Sequence, residues 1–324
     1  MSTVREVWQR LAQAHVWLFV FVAVVAALVF LLAANCVLDV PQYPAGLDDI
    51  LVPHRTLIMR LVNSAGHLFN TFFNGLDLYP IDQDAVMAHA IRLAGGLDDF
   101  GDDNYRTGLD ALVSSLQQEA NLSLMGHIVV RSHIVRQLHV RLMLVNQLKG
   151  PAGANILNRT VNPVKRPVFI VGLPRTGTSV MHKMLSRAGS NMWRTPLHWE
   201  LLVPVPLPQE KLTAGQQMGV DVSQFELENF KQLAPGIERF HPMNASAPEE
   251  DIIMWAADMH SLAYATTACV PSYMQYLNDV ASTNFSKTIN FGYKFLQWLQ
   301  SSPKQANRRW LLKAPQWSQS MWQL

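Results

Sequence analysis

The segment Pro167-Val-Phe-Ile-Val-Gly172-Leu-Pro174-Arg175-Thr176-Gly177-Thr178-Ser179 decides the fold. An apolar, β-branched run that enters a Gly/Pro-punctuated loop and then a helical stretch reads as strand, anion loop and helix in succession. Gly172 and Gly177 let the backbone turn tightly and approach a ligand, and the helix behind them aims unpaired N–H groups and its positive dipole end at an anion. Thr176, Thr178 and Ser179 add hydroxyl donors, and Arg175 adds a planar, permanently charged fork suited to phosphate or sulfate oxygens. Val180, Met181, Met184 and Leu185 recur at helical spacing, and Gly189 ends that helix.

The spacing of Gly172, Gly177 and Ser179 copies the loop of nucleoside triphosphatases, but Thr178 stands where such a loop needs its lysine. A triphosphatase or kinase also wants a later apolar strand ending in Asp, to hold magnesium. Here the later strand, Arg309-Trp-Leu-Leu-Lys313, ends in a cation.

Six further pieces stand in order along the chain. They are Gly95-Gly-Leu-Asp-Asp-Phe-Gly-Asp-Asp103, Trp199-Glu200 with Pro204 and Pro206, His241, Pro248-Glu-Glu-Asp251, Val270-Pro-Ser-Tyr273, and Trp310-Leu-Leu-Lys-Ala-Pro-Gln316. Together with residues 167–179 they resemble sulfotransferases that use 3′-phosphoadenosine 5′-phosphosulfate, in the bacterial-type branch that is also similar to tyrosylprotein sulfotransferases. The resemblance covers roughly residues 81–324. It implies an α/β fold, a P-loop-like parallel sheet with flanking helices, and assigns Gly172, Pro174, Arg175, Thr176, Gly177, Thr178 and Ser179 to the 5′-phosphosulfate of the donor. It implies transfer of a sulfonate group to a hydroxyl or amine, with no metal. Arg175 and fixed donors would meet the charge that builds on the bridging oxygen. Glu200, one helix and one short strand beyond the loop, is the expected base, with His198 its nearest competitor and surface pairing the bland alternative.

His241 with Glu249, Glu250 and Asp251 reads equally well as an acceptor-site cluster or as the acidic first turn of a helix. One histidine beside three adjacent carboxylates lacks the helical spacing of a metal site. Two departures stand out: Trp317 occupies the place where the family commonly has His after Lys313-Ala-Pro-Gln316, and the family's next strand, with the Arg and Ser that hold the donor's 3′-phosphate, lies beyond Leu324. The core therefore reads as C-terminally truncated. A non-catalytic membrane-anchored module with a degenerate nucleotide loop is the alternative from a different class.

The chain has 324 residues, a formal net charge of +2 and 49% hydrophobic residues. That suffices to bury a large core, and the absence of a basic, aromatic-interleaved stripe argues against a nucleic-acid partner. Cys36 and Cys269 are the only cysteines, which excludes a disulfide framework. Val16 to Ala34 is uninterruptedly apolar, long enough to cross ~30 Å of hydrocarbon as a helix. The expected organisation is a cytoplasmic tail and signal-anchor transmembrane helix at 1–40, a linker and helical region at 41–160, and the partial sulfotransferase core at 161–324. Arg5 and Arg10 before the span, against Asp39, Asp48 and Asp49 after it, favour a cytoplasmic N-terminus. A single-pass protein of the Golgi membrane with a lumenal catalytic part is expected in a eukaryote, and of the inner membrane in a bacterium.

Pro41 to Pro53 and Pro151 to Pro163 read as linkers, and residues 58–73 and 105–148 as helical. Asp98, Asp99, Asp102 and Asp103 suit turn and cap chemistry better than calcium. Arg131, His133, Arg136, His139 and Arg141 are expected on a solvated face. The acceptor, whether carbohydrate, lipid, small molecule or peptide, is not specified by the donor loop.

Overall fold

The computed structural model describes residues 56–73, 80–174, 176–189, 192–203, 212–234, 237–239, 241–283, 285–301, 308–316 and 318. The chain divides into two compact units. In the first, the described residues form helix α1, Leu57–Phe73, and the short segments 123–125 and 233–234. Asn63 is buried there, its side-chain oxygen accepting from the Met125 N–H at 3.1 Å.

The second unit, residues 78–122, 126–232 and 236–324, carries everything else. Its helices begin with α2, Gln83–Leu93, capped by Asp82, whose carboxylate accepts from the Ala85 N–H at 2.8 Å. They continue with α3, Asn104–Gln118, and the 26-residue α4, Leu124–Lys149. Between α2 and α3 the aspartates cap turns: Asp99 accepts from the Gly101 N–H and Asp102 from the Asn104 N–H.

Helix α4 is apolar on more than one side because it serves two cores. Ile134, Leu138 and Leu142 join α2, α3 and the 256–277 segment, while Val140 and Leu144 join Trp255, Phe295, Trp298 and Trp310. The helical stretch before residue 160 thus shares its packing with the later part of the chain. Its charges are not a solvated face. Arg141 is 1% exposed and donates to Phe100 O, Asp102 O and Asp258 Oδ1 at 2.7–2.9 Å, its guanidinium between the rings of Tyr105 and Phe291. His133 is half-buried, and desolvation pushes its imidazole down to about 3. Long-range partners that no local pattern reveals convert a polar stripe into an internal brace.

The Pro151–Pro163 stretch is not a bare linker, since it contains the short helix α5, Gly153–Leu157, whose Ile156 enters the second core. The α/β part follows. Strand β1, Val168–Ile170, leads to α6, Thr178–Ala188, then β2, Trp193–Arg194, and α7, His198–Leu202. A helical excursion comes next: α8, Leu212–Leu233; α9, Ile252–Ala256; α10, Pro271–Thr283; and α11, Ser286–Leu299. The chain then returns as β3, Arg309–Lys313.

The sheet is parallel with spatial order β1-β3-β2. Val168 pairs with Leu311 and Ile170 with Lys313, while Trp193 pairs with Arg309. Strand β3 is therefore central, and Trp310, Leu311 and Leu312 are buried as a continuous apolar run, as parallel strands covered on both faces require. The order puts the exits of all three strands on one edge, where ligands of open α/β sheets bind.

The parallel sheet with flanking helices matches the expected core, but the expected membrane-spanning architecture is corrected. Among the described residues no helix is long and apolar enough to cross a membrane. The anchor expected at 16–34, the 1–40 boundary built on it and the linker at 41–53 lie outside the described residues. The membrane partner and the Golgi or inner-membrane placement are accordingly withdrawn.

Candidate active site

The loop between β1 and α6 is shaped by its two glycines. A Cβ at Gly172 would sit 2.8 Å from Thr178 Cγ2 and 3.2 Å from Thr176 Oγ1, so a side chain there collides with the first turn of α6. Gly177 caps that helix at φ +87°, a conformation that an L side chain resists. Having no side chain, Gly177 offers no acceptor to the first N–H groups of α6, which remain available to an anion. Thr176 donates its hydroxyl to Leu173 O at 2.7 Å and so closes the turn. Thr178 is buried beneath it, and Pro174 is exposed at the tip. Arg175 lies outside the described residues.

Helix α6 forms where its periodicity placed it, but with the opposite face inward. Thr178 and His182 are buried, whereas Val180, Met181 and Met184 are exposed. The inner face turns to β3: His182 Nε2 lies 3.3 Å from Leu311 O.

Lys313 supplies the lysine that the loop lacks. It is the last residue of β3, paired in register with Ile170 just before the loop, and its side chain is almost fully buried. Its Nζ donates to Ser179 Oγ at 3.2 Å and to the Glu250 carboxylate. In the sequence this lysine stands as the wrong ending for a magnesium strand and as part of the 310–316 piece, with no role of its own. The signal that identifies it, parallel pairing of β3 with β1, is tertiary.

The acidic run 249–251 reaches this edge because residues 245–249 run beside the start of α7. The N–H groups of His198 and Trp199 donate to Ala247 O and Ala245 O, and that of Glu249 to Pro196 O at 3.0 Å. Asp251 N–H in turn donates to Lys313 O at 3.2 Å. Helix α9 does begin at Ile252, directly after the run, but the three carboxylates do not simply face its dipole. Glu249 accepts from His241 Nε2 at 3.0 Å, Glu250 pairs with Lys313, and Asp251 accepts from Trp255 Nε1 at 3.0 Å. Burial raises the Asp251 carboxyl to about 6. The hydrogen bond that His241 donates to Glu249 raises its imidazole above the ordinary value, against the opposing effect of its partial burial.

Glu200 sits at the third position of α7, 7% exposed. One carboxylate oxygen accepts from Arg194 Nη2 at 2.9 Å and the other from the Leu197 N–H at 3.1 Å. Arg194 is itself buried, with its guanidinium carbon 4.3 Å from the Trp310 ring centroid. Both oxygens of Glu200 are thus engaged, one by a helix-capping contact and one by a buried ion pair. His198 is buried beside it, its Nδ1 2.7 Å from Ser223 Oγ, and burial lowers its imidazole. Among the described residues no group of three His, Cys, Asp or Glu side chains could hold a metal ion.

A central strand thus carries a buried lysine to an anion loop that has none of its own. The sulfotransferase family model matches residues 167–320. This part of the chain is similar to bacterial sulfotransferases. Its solved relatives include sulfotransferase STF1 from Mycobacterium tuberculosis H37Rv, at 26% identity and a TM-score of 0.62 over 75% of this chain and 64% of that one. Sulfotransferase STF9 from Mycobacterium avium shares the fold at 24% identity and a TM-score of 0.59, over 75% and 59% of the two chains. The sulfotransferase-like chain thus spans less than two thirds of the length of either relative. No curated protein matches it.

Proposed function

We propose that this protein transfers a sulfonate group from 3′-phosphoadenosine 5′-phosphosulfate to a hydroxyl or amine of an acceptor. The observation that carries the reading is the contact of Lys313 Nζ with Ser179 Oγ at the mouth of a loop whose own lysine position is Thr178. A parallel-sheet anion loop closed by a cation from the neighbouring strand suits a phosphosulfate. Without a loop lysine, and with lysine at the end of β3, it is poorly equipped for magnesium and a triphosphate. The cradle fits the donor because Gly172 leaves open the space that a Cβ would fill against Thr178.

In this reading the donor supplies an activated sulfonate on a phosphate leaving group. The amides behind Gly172 and Gly177, with the hydroxyls of Thr176, Thr178 and Ser179, hold its 5′ end, and Pro174 shapes the loop tip. Arg175 and Lys313 meet the charge that develops where the bond to phosphate breaks. Glu200, the base expected from the sequence, can serve only by exchanging Arg194 for the acceptor. The acceptor is a hydroxyl- or amine-bearing carbohydrate, lipid, small molecule or peptide.

The test is transfer of labelled sulfonate to a panel of such acceptors, alongside calorimetric titration with 3′,5′-bisphosphoadenosine and with magnesium ATP. Transfer, with the bisphosphate bound in preference to ATP, supports the reading. Magnesium-dependent ATP binding without transfer would overturn it, and bisphosphate binding without transfer would leave the chain a binding module.

A further inference from the structure

Within the cluster around Glu249, Asp251 has an unengaged oxygen but is 0% exposed, whereas His241 is partly exposed and free to take a proton on its second ring nitrogen. We infer that His241, oriented by the buried carboxylate of Glu249, is the base that deprotonates the acceptor, an inference that rests on the sulfonate transfer proposed above.

His241 is fixed from both sides of its chain. Its own N–H donates to Ile237 O at 2.8 Å, across the turn Ile237–Arg239, and the next carbonyl, Pro242 O, accepts from Lys183 Nζ of α6 at 3.2 Å. Its ring is held by Glu249, whose side chain is 7% exposed while that of His241 is 36% exposed. The same Glu249 oxygen accepts from the Glu250 N–H at 2.8 Å, so the carboxylate is locked in place. Burial alone would raise the Glu249 carboxyl, but the hydrogen bond and charge of His241 and the Glu250 N–H carry it below the usual range. A carboxylate in that state accepts the proton of Nε2 and fixes the tautomer that leaves the lone pair on Nδ1.

The pair is also connected to the donor loop. Glu250, adjacent to Glu249, holds Lys313, and Lys313 reaches Ser179. With the Lys183 contact, this joins His241 to the first turns of α6 through two independent links. The competing groups are committed elsewhere. Glu200 has both oxygens engaged, Glu250 is paired with Lys313, His198 is bonded to Ser223, and His182 is buried against Leu311 O.

In the step assigned to His241, the acceptor O–H or N–H proton passes to Nδ1 while the acceptor atom bonds to sulfur. The bond from sulfur to the phosphate oxygen breaks, and its electron pair leaves on the bisphosphate, beside Lys313 and Ser179. No electrons are exchanged with any other group. The imidazolium that forms is stabilised by Glu249, which acts as the third group that orients a base.

The charged groups acting on His241 are Glu249 and Glu250, which raise it, and Lys313, which lowers it; His198 acts through Glu249, and Lys183 lies one residue away. Glu238 in the preceding turn is paired with Lys231. The base must be neutral to work, so kcat/KM should fall as pH drops through a value above the ordinary imidazole pKa of ~6.5.

The experiment compares kcat/KM against pH for the wild-type chain, His241→Asn, Glu249→Gln, Glu200→Gln and Glu250→Gln, with bisphosphoadenosine affinity measured on each. His241→Asn should lose about 100-fold or more in kcat, lose the acid limb and bind the bisphosphate as the wild type does. Glu249→Gln, which keeps a hydrogen-bond partner but not the charge, should move the acid limb to lower pH. Wild-type turnover matched by His241→Asn, or an acid limb that survives in that variant and disappears in Glu200→Gln or Glu250→Gln, overturns the assignment alone. A wild-type chain that neither binds the bisphosphate nor transfers sulfonate overturns it together with the proposed function.

Discussion

Acidification should loosen the donor-loop helix through His182. This residue is 3% exposed on the inner face of α6, with Nε2 3.3 Å from Leu311 O of the central strand. Burial, aided by the nearby charge of Lys313, pushes its imidazole down to about 4, although the Leu311 carbonyl pulls the other way. An unfolded chain protonates the same imidazole near ~6.5. The unfolded state therefore binds more protons in the window between, and the stabilisation, complete above the unfolded value, is lost as pH falls toward the folded one. From about pH 7.5 to about pH 4.5 the loss amounts to roughly 2.5 kcal/mol, against a typical domain stability of about 5–15 kcal/mol. Urea unfolding followed by tryptophan fluorescence at both pH values, for the wild type and His182→Gln, isolates the effect. Glutamine can still donate to the Leu311 carbonyl but does not titrate. His133, pushed down to about 3 by burial, adds an acid loss of its own to both proteins, so the difference between them is the quantity to read. If His182→Gln loses as much stability on acidification as the wild type, the imidazole is not kept neutral by that packing, and the account of α6 seated on β3 fails.

Replacing Gly172 by Ala places a methyl group 2.8 Å from Thr178 Cγ2, and bisphosphoadenosine affinity measured by calorimetry should fall by about tenfold or more while circular dichroism stays unchanged. Lys313→Gln removes the cation at the loop mouth, and single-turnover sulfonate transfer should slow by about 10²–10³. Glu200→Gln leaves the buried Arg194 charge without its counterion and should cost about 3–5 kcal/mol in urea unfolding; if Arg194→Met in the same chain recovers much of that loss, the pair is a structural brace. Asp258→Asn should cost a similar amount, because Arg141 then keeps its carbonyl acceptors but loses the buried carboxylate it is paired with.

What the sequence made legible is what is local. The apolar run at 168–170, the glycines at 172 and 177 and the spacing after Thr178 announce strand, turn and helix within a dozen residues, and all three form. The same holds for the helices at 57–73, 104–118 and 124–149, and for the aspartate turns around Gly101. What stayed hidden depends on segments far apart in the chain. No pattern within β3 says that it lies between β1 and β2, yet that placement takes Lys313 from an unexplained strand ending to the loop. Periodicity located α6 but misjudged its inward face, because the partner it packs on arrives more than a hundred residues later. Arg141 read as a solvated charge for the same reason: Asp258 and Phe291 belong to later helical segments.

The position of the cation follows from the charge it has to meet. A triphosphate-binding loop needs its lysine within the first helical turn, because the terminal phosphate carries close to two negative charges and arrives with magnesium. A transferring sulfonate carries one, and most of the charge that develops in its reaction appears on the bridge to phosphate rather than on the sulfonate itself. Helix amides can meet much of the ground-state charge, so the cation is needed chiefly at the bridge. Strand β3 delivers it there from the side: register pairs Lys313 with Ile170, two residues before the loop begins, and Glu250 restrains the ammonium against Ser179. Glu250 also offsets the charge of Lys313, so a donor that engages this ammonium must compete with a carboxylate already in place. Arginine at 313 would keep the charge but spread it over a fork wider than the single Nζ that now bridges Ser179 and Glu250, and it should rescue transfer poorly even where it restores binding. Full transfer by Lys313→Arg, measured under single turnover, would show that charge alone suffices and that the position of this ammonium is not what the parallel register supplies.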